Sequence, residues 1–149
     1  MNMSGDIRVK TDRRYRILYN ELKNFVVKDM HELFFLCACI GYRAGKSKPL
    51  GSNGEGRFWS STITPEEYAC FYAMMIEEND MNFSVIREDK TVIARMEEYA
   101  NGGMEILLEE LLSDFLVTSG DEPRLDHSHS KELPKIILNF IYEQILEIV

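Results

Sequence analysis

The residues best suited to chemistry lie between Gly41 and Lys48. Gly41-Tyr42-Arg43-Ala44-Gly45-Lys46-Ser47 has the outline of a phosphate-cradling loop. A nucleotide-hydrolysing loop needs four residues between its first glycine and Gly-Lys-Ser, so that successive backbone N–H groups wrap the phosphate. Here three intervene, and the loop closes a helical pattern instead of following a strand. No apolar run ending in Asp follows to hold magnesium. The spacing therefore argues against nucleotide hydrolysis and for a non-catalytic anion site. Arg43, Lys46 and Lys48 cluster there, the glycines leave N–H groups open, and Tyr42 is suited to stack on a base. Arg13 and Arg14, with Arg8 upstream, extend the basic set. The plain alternative is a solvated loop.

Other chemistry-bearing residues fit catalysis or metal binding poorly. His127 and His129, with Asp121 and Asp126, sit in a polar stretch and lack the ligand count of a metal centre. Cys37 and Cys39 point to opposite sides of a helix, which suits packing. His31 has no sequence-evident catalytic partner. Glu66-Glu67, Glu97-Glu98 and Glu109-Glu110 are adjacent, so they splay around a helix instead of converging. Neither Gly-x-Ser-x-Gly nor HExxH occurs. The residues predict no catalytic site, no metal and no cofactor.

The elements that must position these residues follow from periodicity. Leu33 to Ile40 is apolar on every side, which places it at the centre of a domain. Asp29 as cap, with Glu32 three residues on, predicts a helix start, and Gly41 to Gly45 its end. Before it, Tyr15, Leu18, Leu22 and Phe25 predict an amphipathic basic helix from Asp12 to Val27. Residues 44–63 read as a long loop, with Phe58 and Trp59 folding back on the core. Thr64-Pro65-Glu66-Glu67 opens another helix. Phe83, Val85 and Ile86 belong to a short element of either type. Lys90 to Ala100 predicts a helix ended by Asn101-Gly102-Gly103, and Met104 to Leu116 the next, with Glu105, Glu109, Glu110 and Asp114 on its outer face.

These readings divide the chain into a flexible start (1–10, with a weak strand pattern at Ile7 and Val9), a helical domain (11–117), a polar linker (118–131) and a C-terminal helix (132–149). In that helix Leu133, Ile137, Phe140, Ile141, Gln144 and Ile148 share a face, which packs back or meets a partner or second copy. The fold class is mainly α: one compact bundle of five or six helices around a buried central helix, with the option of a short N-terminal strand.

The 149-residue chain has an apolar fraction of 45%, enough for a real core. The longest apolar run is far short of a membrane span, and the N-terminus lacks a signal-peptide apolar region. Three cysteines, an odd count in apolar patterns, predict reduced thiols in a cytoplasmic protein. The net charge of -8 is uneven. Residues 1–50 carry ten Lys/Arg against five Asp/Glu, and residues 51–149 seven against twenty. Opposite-sign faces are the expectation if the halves fold side by side.

Arg14-Tyr15, Leu18-Tyr19-Asn20-Glu21-Leu22, Gly41-Tyr42-Arg43-Ala44-Gly45 and Glu97-Glu98-Tyr99-Ala100-Asn101-Gly102-Gly103 together form a pattern. It resembles the small Dnd-system-associated protein family, encoded beside bacterial DNA phosphorothioation and restriction genes. The resemblance spans residues 8 to 116 and implies a setting in anti-phage defence, with no catalytic residues to carry over. The expected role is a non-catalytic adaptor that binds larger defence proteins through Glu105, Glu109, Asp114, Ile137, Phe140 and Ile141. Two alternatives stand beside it. One is a nucleic-acid module, for DNA or RNA, built on Arg13, Arg14, Tyr42, Arg43, Lys46 and Lys48. The other is a phage-encoded acidic inhibitor of a defence protein. A homodimer through the C-terminal helix is a further option.

Overall fold

The computed structural model describes residues 6–117 and 122–146. Its centre is a helix, α2 (Met30–Ala44). Asp29 and Glu32 close a capping box at its start, and Gly45, at φ 67°, ends it in the left-handed conformation that glycine takes without strain. Leu33, Phe34, Cys37 and Ala38 are wholly buried. Around it stand α1 (Arg16–Phe25), α3 (Pro65–Glu78), α4 (Asp89–Leu107) and α5 (Leu133–Leu146). Thr64 caps α3, with Glu67 bonding back to the Thr64 N–H. The protein is thus mainly α, with five α-helices among the described residues and the apolar α2 in the middle. No helix there is long and apolar enough to cross a membrane.

A two-stranded antiparallel sheet completes the domain. β1 (Arg8–Asp12) pairs with β2 (Gly54–Trp59), in register Arg8 with Trp59 and Val9 with Phe58. An irregularity after Val9 then brings Lys10 opposite Gly56. Two expectations give way here. The start is not flexible as far as residue 10, and the stretch 44–63 is not loop throughout. β1 is the short N-terminal strand that the pattern at Ile7 and Val9 offered, whereas β2 does not announce itself, because its partner lies far away in sequence. Phe58 does fold onto the core, whereas Trp59 is 49% exposed.

The largest departure concerns Asn101-Gly102-Gly103. Instead of ending a helix, these residues lie inside α4, which runs on through a π turn (Leu108–Leu112) and a 3₁₀ turn (Ser113–Phe115). Helix-interior glycine costs about 0.5–1 kcal/mol relative to alanine. The packing explains its presence. A β-carbon on Gly103 would stand 1.8 Å from the Cys37 carbonyl oxygen, and one on Gly102 2.2 Å from that of Lys46. A β-carbon on Gly41, from the other side, would stand 2.0 Å from the Tyr99 carbonyl oxygen. α2 and α4 therefore meet backbone to backbone.

Phe83 to Ile86 form a 3₁₀ turn. The polar stretch expected as a linker is held down where it is described: Leu125 is buried, its N–H donates to Glu21 Oε1, and the Asp126 N–H donates to the Phe115 carbonyl at 2.6 Å. Residues 118–121, with Asp121, fall outside the described residues. So do residues 1–5 and 147–149, with Ile148. α5 packs back on the domain through Leu133, Ile137 and Phe140.

The crossing supplies a sign test. Glycine to alanine in an ordinary helix interior stabilises by about 1 kcal/mol. Gly103→Ala should instead destabilise by about 3 kcal/mol, because the new methyl group meets backbone that has no rotamer to escape into. Urea unfolding of the two chains reads the difference directly.

Candidate functional site

The segment after α2 lies along α4 and is fixed to it at each step. The Lys46 N–H donates to the Gly41 carbonyl, and the Lys46 carbonyl rests against Gly102. The Lys48 N–H donates to the Glu98 carbonyl at 2.9 Å, and Asn101 Nδ2 donates to the Lys48 carbonyl at 3.2 Å. Asn101 is buried, and its Oδ1 has no partner. Both lysine side chains then converge on one carboxylate. Lys46 Nζ is 2.7 Å from Glu105 Oε1 and Lys48 Nζ 2.5 Å from Oε2. These ammonium groups hold the Glu105 carboxyl below its usual range, and Glu105 in turn raises the Lys46 pKa.

Tyr42 and Arg43 are engaged as well. The Tyr42 hydroxyl donates to Glu77, and its ring meets Tyr99 edge-on at 5.3 Å. Burial, then the Glu77 bond, push its phenol up to about 12, so it remains a donor at neutral pH. Arg43 donates to the Gln144 carbonyl on α5. Next to Tyr42, Arg95 lies over the Tyr99 ring at 4.3 Å and forks onto Glu78, with Glu98 and Ser47 as further partners. The Tyr99 hydroxyl also donates to Glu78. Arg95's hydrogen bonds hold the Glu78 carboxyl low despite its partial burial. Sequence reading passed over this Glu78–Arg95–Tyr99 cluster because its members are far apart in the chain; only the Arg95 and Tyr99 spacing of one turn hinted at it.

Of the residues expected to bind anions, Lys46 and Lys48 converge on Glu105 and Tyr42 turns to Glu77, whereas Arg43 turns to the Gln144 carbonyl on α5. Arg13 and Arg14 stand elsewhere, exposed at the end of β1. Arg13 donates to the Ser52 carbonyl, and Arg14 lies over Tyr15. They line a cleft of about 580 Å³ with Asp12, Arg16, Asn53, Glu55 and Glu122. Its three arginines face three carboxylates, and Arg16 pairs with Glu122 at 3.0 Å.

The residues expected to meet a partner divide in the same way. Glu109 and Asp114 are exposed, whereas Glu105 is held by the two lysines. Ile137 and Phe140 belong to the core, which takes them out of any free contact surface. Ile141 lines a groove of about 260 Å³ between α2, α4 and α5, with Leu36, Cys39, Ile40, Ile106 and Glu110. Exposed Leu138 and Tyr142, not singled out from the sequence, occupy the outward side of α5.

His31, half-buried, has a partner that sequence could not show: Nδ1 is 2.8 Å from Glu67 Oε1. It ties the start of α2 to the start of α3. Asp29, His31 and Glu32 have ligand atoms within 4.8 Å of one another, but the two carboxylates are those of the α2 capping box. His127 turns to Glu21 and His129 to Glu132, so the two rings do not converge on one point. Cys37 is sealed in the core, and burial pushes its thiol up to about 12.

The Glu105 latch has a pH signature. A carboxylate whose folded pKa lies below its ordinary 4.5 stabilises the fold above that value, and the contribution disappears as pH falls through the lowered folded value. Both lysines are partly exposed, so the effect is about 1 kcal/mol or less. Glu105→Gln should therefore lower the melting temperature slightly at pH 7 and lose less stability than the parent on acidification through that window. Thermal melts at stepped pH measure both.

The chain matches the family described as DNA sulphur modification system-associated protein 4 over residues 8–120. No curated protein and no solved structure matches the chain. The matched span opens at β1 and contains the whole α2–α4 crossing, with Gly41, Gly102, Gly103 and the loop they carry; α5 follows beyond it. Most of the chain, with the α2–α4 crossing, is thus family sequence, and the protein belongs to the DNA sulphur modification system-associated protein 4 family.

Proposed function

We propose that the protein is a non-catalytic accessory component of a DNA sulphur modification system acting in anti-phage defence, and that it docks on a larger protein of that system. The family description supports the setting. The observation that carries the docking role is on α5. Its inner face is filled by Leu133, Ile137 and Phe140, yet Leu138 is 64% and Tyr142 61% exposed one turn apart. Apolar side chains at that spacing form the anchor pattern of a helix entering a groove on another protein. The neighbouring groove lined by Ile141 widens the apolar surface, and exposed Glu109, Glu110 and Asp114 give the adjoining end of α4 an acidic border. A partner surface that is apolar at its centre and basic at its margin fits this chemistry. Polar substitution of exposed anchors leaves the core intact, so folding and docking separate cleanly.

Tagged protein co-expressed with the other products of the modification genes should retain at least one larger product. Leu138→Asp with Tyr142→Lys should cut that retention about tenfold or more, as loss of central anchors does. Glu109→Lys with Asp114→Lys should weaken it further as salt is lowered. Undiminished retention by the α5 variant would refute the mapping, and a mass of two chains in light scattering would assign the face to a second copy.

A further inference from the structure

The sheet turns Val9, Thr11 and Phe58 inward and leaves its other face to solvent. On that outer face Arg8 stands opposite Trp59 and Lys10 opposite Gly56. The Arg8 guanidinium lies over one face of the indole, 5.0 Å from the ring centre. Gly56 makes this pose possible: a β-carbon there would stand 2.7 Å from Arg8 Nε and 2.8 Å from its Cγ. The arginine is thereby laid across the strand towards the tryptophan. Gly54 keeps the next cross-strand position low, beside the Lys10 stem. The result is a shallow floor of glycine, flanked by two cations and one half-exposed aromatic ring.

Nearby carboxylates are already occupied. Asp6 accepts from Ser60 and Ser61, Asp12 from the Arg14 N–H, and Glu97 from the Lys10 N–H. Glu55 pairs with Arg57, whose side chain is only 5% exposed and whose Nη2 has no partner. Among the described residues neither Arg8 nor Lys10 makes an ion pair with a carboxylate. Beyond Asp12 the chain continues directly into exposed Arg13 and Arg14. At about 3.3 Å per residue, the strip from Arg8 to Asp12 is roughly 13 Å long.

We propose that this face binds single-stranded nucleic acid, with an unpaired base stacked on Trp59 and backbone phosphates on Arg8, Lys10 and Arg13. A π-face beside a cationic track is the chemistry by which proteins hold single strands without reading sequence. Duplex bases are stacked on each other and offer no free face. A protein partner would find cations and glycine around the indole in place of an apolar rim. The site is separate from the α5 surface, and its failure would leave the docking role standing.

Trp59 is the chain's one tryptophan, so intrinsic fluorescence reports on this face alone. Titrating the full chain with an oligothymidylate of about twelve nucleotides should quench Trp59 saturably at low salt. With three phosphate contacts, raising salt from about 50 to about 200 mM should weaken binding roughly 20-fold. By anisotropy of labelled oligonucleotide, Trp59→Ala should lose about fivefold or more, while Trp59→Phe keeps most of the affinity. Arg8→Glu should lose a similar factor, and circular dichroism melts confirm that these surface variants fold. Absent quenching, or equal binding by Trp59→Ala and Arg8→Glu, would overturn the proposal. Equal competition by duplex or inorganic polyphosphate would overturn it too, since charge alone would then suffice. Trp59 emission that shifts with protein concentration alone would give the face to a second copy instead.

Discussion

At the crossing of α2 and α4 there is no room for a β-carbon. Gly41 on one helix and Gly102 and Gly103 on the other let main chain press on main chain, and the segment from Gly45 to Lys48 is laid into the same contact. Interiors are packed too densely to absorb an added atom at such a point. The geometry of everything attached to these helices follows. The Lys48 N–H reaches Glu98, Asn101 reaches the Lys48 carbonyl, and Glu105 meets both lysines because the helices stand this close. The cationic loop is part of the architecture, held by the acidic helix beneath it.

That arrangement redistributes the charge. The basic half and the acidic half are partly matched inside the molecule, through Lys46 and Lys48 with Glu105 and through Arg95 with Glu78. Among the exposed charges two groups of like sign stand out. Arg8, Lys10, Arg13 and Arg14 are exposed along one strand and the turn after it, while Glu109, Glu110 and Asp114 are exposed past the end of α4. Charge left unmatched on a surface governs association more than folding. These two groups border the faces we propose for binding, the sheet for an anionic polymer and α5 for a protein.

Local signals in the sequence were strong where structure is local. The capping boxes at Asp29 and Thr64 mark real helix starts, and Leu33, Phe34, Cys37 and Ala38 form the buried centre expected of the apolar run, while Phe35, Leu36, Cys39 and Ile40 are only partly buried. Signals failed where a distant element decides. Asn101-Gly102-Gly103 has the composition of a helix end, and only α2 arriving from far along the chain makes glycine necessary in a helix interior. Gly54-Glu55-Gly56 reads as loop because its strand partner is not visible from there, and the Arg8 side chain that lies across Gly56 comes from that partner. The loop cations were legible as a cluster, but their Glu105 counter-ion lies on another element. Trp59 was placed inside on hydrophobicity, and its exposure became clear only with its strand partner in view.

The central claim is that the glycine crossing holds the loop in place, and amide exchange at Lys48 tests it most directly. The Lys48 N–H should be protected in the parent chain and should exchange much faster in Gly102→Ala, whose new methyl group displaces the Lys46 carbonyl. A substitution away from the crossing, such as Leu22→Ala, chosen for equal global stability loss, should speed Lys48 only as much as the domain as a whole. Lys48 protection that is the same in Gly102→Ala as in that control would contradict the account.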